Sequence, residues 1–206
     1  MSTRVKAKYV SFFLFINLAV YFLIQNHVTK NEYDLMTQFD RAVPFMPQYI
    51  WIYHSIVPVV GAAMILMVKS RKIFFTTLWS FAFATIILNC FYLYFPSFYP
   101  RGEFEPITIS EIVVEMTRRI DGANNTFPSG HVCFAWIMYW GIYFSEVANK
   151  FKVLRSLFCL WAIGISLSTL VLKQHYLIDV GSGFLLATIS FFMVKSLIEV
   201  YKLYEK

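Results

Sequence analysis

Charged side chains are scarce in this sequence: Asp, Glu, Lys and Arg make up 15% of its 206 residues, against roughly a quarter in an average soluble domain. So few charges cannot cover a water-facing surface, which excludes an ordinary soluble globular fold. Cysteine is scarcer still. The three present, Cys90, Cys133 and Cys159, stand in apolar stretches without metal-ligand spacing, so they are read as small packing residues and say nothing about redox compartment. Internal repeats and low-complexity segments are also missing. Acidic residues number 12 against 18 basic ones, giving a net charge of +6. The Lys and Arg residues fall in short clusters beside apolar runs instead of on one basic face, which argues against nucleic acid as a partner.

What the chain has in quantity is apolar and aromatic surface. It is 58% hydrophobic, with 22 Phe and 13 Tyr, and its mean hydropathy is +0.58. That composition predicts an all-α, multi-pass membrane protein, a single membrane-embedded domain over residues 1–206 whose partner is the bilayer itself. Six apolar runs approach the length of about 20 residues that a spanning helix needs. They are Tyr9 to Ile24, Tyr49 to Val68, Ile73 to Tyr94, Val132 to Val147, Leu154 to Leu172 and Val180 to Tyr201. The first follows Arg4, Lys6 and Lys8 as a signal peptide would, but Gln25-Asn26-His27 offers no small-residue cleavage site, so it reads as an uncleaved anchor.

Basic residues then set the orientation, because cytoplasmic loops retain positive charge. One side collects Arg4, Lys6, Lys8, Lys69, Arg71, Lys72, Lys150, Lys152, Arg155, Lys202 and Lys206; the other has Lys30, Arg41, Arg101, Arg118, Arg119 and Lys173 in longer loops. Both termini are expected in the cytoplasm, and the loops 25–48, 95–131 and 173–179 on the periplasmic or lumenal side. In the first of these, Leu35, Met36, Phe39 and Val43 recur at helical spacing, which fits a short helix lying in the interface or, equally, an irregular linker before Pro44 and Pro47.

Two motifs on that outer side carry chemistry. Phe127-Pro128-Ser129-Gly130-His131 precedes an apolar helix, so its backbone N–H groups would stand at a helix N-terminus, an outline anion site, with His131 placed to protonate a leaving oxygen. In Lys173-Gln174-His175-Tyr176-Leu177-Ile178-Asp179, a helical backbone would put His175 and Asp179 on one face. The carboxylate would then hold one imidazole nitrogen and leave the other as a nucleophile. Asp121 and Asn125 are expected to order the loop before Pro128 through side-chain to backbone bonds. His27 and His54 are expected to be packing or interfacial residues. Asn124-Asn125-Thr126 matches a glycosylation sequon, but a glycan there would obstruct the proposed pocket. Gly181 and Gly183 are expected to allow close helix packing.

Pro128-Ser129-Gly130-His131, together with Ser168 and the His175 to Asp179 pair, resembles the last two motif blocks of the type 2 phosphatidic acid phosphatase superfamily. The resemblance implies a metal-independent, cofactor-free phosphatase acting on a lipid phosphate or pyrophosphate. It implies that His175 forms a phosphohistidine, that Asp179 orients it, and that His131 protonates the departing group. Ser129 and the Gly130 backbone would bind phosphoryl oxygens. Two departures stand out. The third block's Arg is Thr169, for which Lys173, four residues on, is the expected substitute, and the first block offers Arg101 without its Pro or upstream Lys; Arg118 or Arg119 could share its role. The departures resemble the inositol phosphorylceramide and sphingomyelin synthase branch. The alternatives are therefore a lipid phosphotransferase or a non-enzymatic membrane protein retaining the motif. Oligomeric state is not read from the sequence.

Overall fold

The computed structural model describes residues 1–28 and 32–204; Lys30 and Lys206, counted above for orientation, lie outside the described residues. The regular structure of the described residues is almost all helical. Its long helices are α1 (Thr3–His27), α5 (Arg71–Tyr94), α9 (Val153–Val171) and α10 (Leu177–Val200). A fifth rod runs from Pro47 to Met67 in pieces: a 3₁₀ turn, α3 (Ile50–His54), α4 (Ile56–Ala62) and a π-helical turn. Its interruption at Ser55 has a local cause, since Pro58 lacks the N–H that would bond the carbonyl four residues back. At the same position the Ser55 hydroxyl donates to the Ile52 carbonyl at 2.6 Å and accepts from Trp161 Nε1–H at 2.9 Å.

These five segments are long and apolar enough to cross a membrane, where the sequence predicts six. The remaining run, Val132 to Val147, forms α7 (Gly130–Tyr143), only 14 residues. At a rise of 1.5 Å per residue that is about 21 Å, short of a hydrocarbon core of about 30 Å. The helix stops because Ser145 starts another one: its hydroxyl accepts the Ala148 N–H and caps α8 (Glu146–Lys150).

Short as it is, α7 is the hub. Val132, Cys133, Ala135, Ile137, Met138 and Ile142 are fully buried among α5, α9 and α10. Two glycines permit this packing. A Cβ on Gly141 would lie 2.6 Å from Thr77 Oγ1, and one on Gly183 would lie 2.6 Å from the Ser129 carbonyl oxygen. The outward faces are instead apolar and open, as at Phe12, Phe15 and Leu23 on α1, Leu160 on α9 and Leu185 on α10. Such a surface suits lipid contact.

The two ends of the bundle differ. At one end Lys6 Nζ donates to the Val68 carbonyl, Tyr204 stacks on Phe75, and Lys72 lies 4.0 Å from Glu199, so the starts of α1 and α5 meet the end of α10. The opposite end carries a layer of loops. There β1 (Tyr33–Asp34) pairs in parallel with β2 (Ser97–Phe98), Phe98 bridges to Asn124, and Ser97 Oγ accepts the Phe127 N–H at 2.8 Å.

Two helices lie in this layer. The apolar spacing around Phe39 does yield α2 (Gln38–Ala42), but its role is not that of an interfacial helix alone. Asp40 is buried, and its carboxylate accepts N–H groups from Thr37 at 2.9 Å and from Leu177 at 2.8 Å. It therefore caps α10 from across the fold. The helix with an interfacial pattern is α6 (Ile109–Ile120), started by a Thr108/Glu111 capping box and exposing Ile109, Ile112, Met116 and Ile120 along one stripe.

The packing of α10 on α7 can be tested with its two glycines. Gly183→Ala should lower the thermal midpoint by the equivalent of about 1–3 kcal/mol, the usual scale of overpacking. Gly181, whose Cβ position meets nothing within 4 Å, should instead tolerate or gain up to about 1 kcal/mol from the better helix former. Thermal unfolding of both variants in detergent measures the contrast.

Candidate functional site

The N-terminal end of α7 is built by its preceding loop. Ser129 is fully buried; its hydroxyl accepts the Val132 N–H at 3.4 Å and its own N–H donates to the Asp179 carbonyl at 3.0 Å. This serine is a cap and a tie to α10, and it does not line the cavity described below, unlike the phosphate ligand expected from the motif. Gly130 does line it. The Phe127–Pro128 peptide bond is cis, and the Tyr92 hydroxyl donates to the Pro128 carbonyl at 3.0 Å.

The second motif is not one continuous helix. Residues 172–175 form turns after α9, Tyr176 is the N-cap of α10, and Asp179 occupies its first turn. Asp179 accepts the Tyr176 N–H at 2.9 Å through Oδ2, and the same oxygen lies 3.5 Å from His175 Nδ1. A closer partner for that nitrogen is the Thr126 carbonyl oxygen, at 2.8 Å. A carbonyl can only accept, so Nδ1 carries the proton and the lone pair of the neutral ring is on Nε2. His175 is thus oriented by a backbone group first and by the carboxylate second. The Tyr176 hydroxyl donates to Asp34 at 2.6 Å, and its ring stacks on Tyr99 at 4.5 Å. Burial and nearby carboxylates raise both phenols, Tyr99 to about 12, so both remain neutral donors at physiological pH.

His131 stacks on Tyr53, with ring centroids 4.0 Å apart, and its centroid is 6.4 Å from that of His175. The two motifs therefore converge. Both rings line a cavity of about 580 Å³ together with Arg101, Asp121, Asn125 and Gln174. From this polar end the cavity continues along Phe13, Leu18, Val57, Val60, Phe81, Leu88 and Met116, drawn from α1, α4, α5 and α6. Leu18, Val57 and Met116 are each 57–58% exposed, so the apolar part reaches the outer surface of the bundle between those helices.

Arg101 is held as a fork. Its Nη1 donates to the Asp121 carbonyl at 2.6 Å, and Nη2 to the Gly122 carbonyl at 2.8 Å and to Gln174 Oε1 at 2.5 Å. Lys173 goes elsewhere. It adopts a φ of 58°, its ammonium donates to the Asp40 carbonyl at 2.7 Å, and it lines a separate cavity of about 400 Å³ with Arg41 and Arg118. Burial lowers the Lys173 pKa; burial and then the Arg101 charge lower that of Arg118. Lys173 therefore supplies no cation to the histidine-lined cavity, and Thr169 supplies no donor, since it is buried and its hydroxyl donates to the Ser166 carbonyl. Arg119 pairs with Glu115 on the surface.

Three participants escape the sequence reading. The Thr126 carbonyl belongs to the backbone and leaves no side-chain signature. His54 lines the same cavity; the Thr117 hydroxyl, committed to the Val113 carbonyl, accepts from His54 Nε2–H at 2.8 Å. Asn125 makes no loop-ordering side-chain bond: at φ 61° its buried amide oxygen and nitrogen are both unpartnered. Asp121 departs from the expectation too: its carboxylate accepts from the Tyr21 hydroxyl and not from the loop backbone, and it is the Asp121 carbonyl that ties the loop, to Arg101. Among the described residues no group of His, Cys, Asp and Glu is arranged to hold a metal.

Among curated proteins, none matches this chain. A family model does match. The PAP2 superfamily pattern aligns with residues 95–201, just over half of the 206. That span contains both histidines, Asp179, Ser129 and Arg101, and stops short of α1 and the rod at Pro47–Met67. With its two motif blocks converging in one cavity, the chain belongs to the PAP2 superfamily.

Proposed function

We propose that this protein is a membrane phosphatase that hydrolyses a lipid phosphate or pyrophosphate through a phosphohistidine on His175. The observation that carries the reading is the Thr126 carbonyl on His175 Nδ1, which leaves the lone pair on Nε2 of a ring that lines the polar end of an apolar cavity together with His131. The histidine centroids are 6.4 Å apart, close enough for one phosphoryl group in the cavity to touch both rings. Nε2 attacks phosphorus, the bond from phosphorus to the lipid oxygen breaks, and His131 delivers a proton to that oxygen. Water then attacks the phosphohistidine and returns a proton to His131. The phosphorus–nitrogen bond breaks and inorganic phosphate leaves. Asp179, 3.5 Å from Nδ1, stabilises positive charge on the His175 ring. Arg101 and the Gly130 backbone face the phosphoryl oxygens, whose developing charge dominates such a transition state.

The apolar length of the cavity supports a lipid substrate. A hydrocarbon tail lying along Leu18, Val57 and Met116 would leave the protein where those side chains meet the outer surface, with the phosphate retained at the histidines. This suits an active site at headgroup depth.

The same geometry supports six crossings. His131 begins α7 and His175 follows the end of α9, so α7 leads away from the site and α9 returns to it. α7 can be short because α5, α9 and α10 surround it in place of lipid. Six crossings put both termini on one side, and the positive-inside rule puts that side, with Arg4, Lys69, Lys72, Lys152 and Lys202, in the cytoplasm. The active site then faces the periplasm or a lumen.

His175→Ala should abolish phosphate release from a lipid phosphate in mixed micelles, and His131→Ala should lower kcat by roughly 10²- to 10⁴-fold, the range for general acids. Full activity in both variants would reject the mechanism. A labelled phospholipid tests the acceptor, because label appearing in a second lipid instead of free phosphate would reveal a phosphotransferase. Lys173→Ala should leave kcat/KM within a few-fold while costing about 1 kcal/mol of stability for the lost bond to Asp40. A 100-fold loss of kcat/KM at unchanged stability would return Lys173 to the phosphate site.

A further inference from the structure

The phosphate end of the cavity has a shortage that the proposed reaction makes visible. Among the described residues lining it, Arg101 is the one Lys or Arg, and Asp121 the one carboxylate. Thr169, standing where the family motif has a second Arg, is turned into its own helix. A phosphoryl group bound there needs further donors. The structure holds two that are otherwise unexplained.

Gln174 is 2% exposed and lines the cavity next to His175. Its backbone N–H is fixed to the Thr169 carbonyl at 3.0 Å. Its Oε1 accepts from Arg101, which settles which end of the amide is which, and its Nε2 has no partner. Asn125 is 4% exposed and lines the same cavity, with both side-chain polar atoms unpartnered. Its left-handed backbone is one that Asn adopts more readily than most residues. Leaving a buried amide donor unpaired normally costs about 1–3 kcal/mol, so two beside one reactive histidine call for a ligand.

We infer that Gln174 and Asn125 are ligands of the substrate's phosphoryl oxygens, two neutral amide donors that work with Arg101 where the family motif uses a second guanidinium. The inference rests on the phosphatase reading for its substrate, but the binding it describes can be measured without turnover. Gln174 Nε2–H and Asn125 Nδ2–H each donate to a phosphoryl oxygen. The cradle gains directionality without gaining charge.

The probe is inorganic phosphate, and the readout is the thermal midpoint of the full chain in detergent, in sodium phosphate against sodium chloride of matched ionic strength. Ligand that binds only the folded state raises the midpoint by mass action. Gln174→Met removes the donor without adding a charge that would itself repel phosphate; Asn125→Gly keeps the left-handed backbone and removes the amide. Both should keep midpoints near wild type in chloride, and both should show apparent phosphate affinity reduced by roughly 10- to 100-fold, the scale of a hydrogen bond to a charged group. A phosphate shift unchanged in both variants, or absent from the wild type, would overturn the inference and leave water as the partner of these amides. An intact phosphate shift in wild type, lost in the two variants, combined with undiminished turnover in His175→Ala, would instead sink the phosphohistidine reading and spare the ligands.

Discussion

The hydrogen bond from His175 Nδ1–H to the Thr126 carbonyl is the contact around which the rest of the site is organised. It joins the turn after α9 to the loop before α7, so it fixes the ring of one motif against the backbone of the other. It also selects the tautomer. With Nδ1 committed, the lone pair of the neutral ring is on Nε2, and the carboxylate of Asp179 can act as an electrostatic neighbour without holding the ring alone. In a Ser-His-Asp hydrolase the acidic side chain does both jobs; here they are divided between a carbonyl and a carboxylate.

A single hydrogen bond of this kind contributes only about 1 kcal/mol net, so its geometry must be enforced from outside. The loop layer does this. Asp40 caps Leu177 from α2, Tyr176 reaches Asp34, and Ser129 donates to the Asp179 carbonyl. Arg101 gathers the Asp121 and Gly122 carbonyls with Gln174. Each connection crosses between segments separated in sequence, so the loops are tied mainly through side chains, which add to the short β1–β2 pairing and to the backbone bond of Ser129. Gly183 completes the scheme from below by letting α10 approach the Ser129 carbonyl.

That arrangement explains which parts were legible in advance. Apolar runs and their basic flanks are properties of side-chain composition, and they correctly located the long helices. The Pro-Ser-Gly-His and His-x-x-x-Asp signatures are local, and the two histidines do line one cavity. Contacts made by backbone atoms or between distant loops leave no such trace. Thr126 acts through a carbonyl, and Asp40 through a cap 137 positions away. Lys173 stands where a substitute for Arg belongs only if the helix continues past Thr169; the turn at 172–175 breaks that spacing and sends the ammonium to Asp40. The sixth apolar run shortened because Ser145 is a better helix start than a helix interior residue. The interfacial character of α6 was available from the Thr108/Glu111 spacing and the stripe at Ile109, Ile112, Met116 and Ile120.

The economy of charge in the cavity follows from its surroundings. Two unit charges 4 Å apart interact by about 1 kcal/mol in bulk water but by about 4 kcal/mol at the effective dielectric of a protein environment. The walls here are mostly apolar, and Arg101 is kept in place by carbonyl oxygens that fix its position without neutralising it. One well-held guanidinium in such a setting can do work that several mobile lysines could not do at an exposed surface. Additional cations would raise the cost of keeping the cavity unoccupied, because each would be a buried charge without its own counterion. Neutral amides avoid that cost. Placing Thr169 where the motif has Arg therefore reads as a redistribution, from charge toward directed hydrogen bonding, in a cavity whose length is lined by apolar side chains.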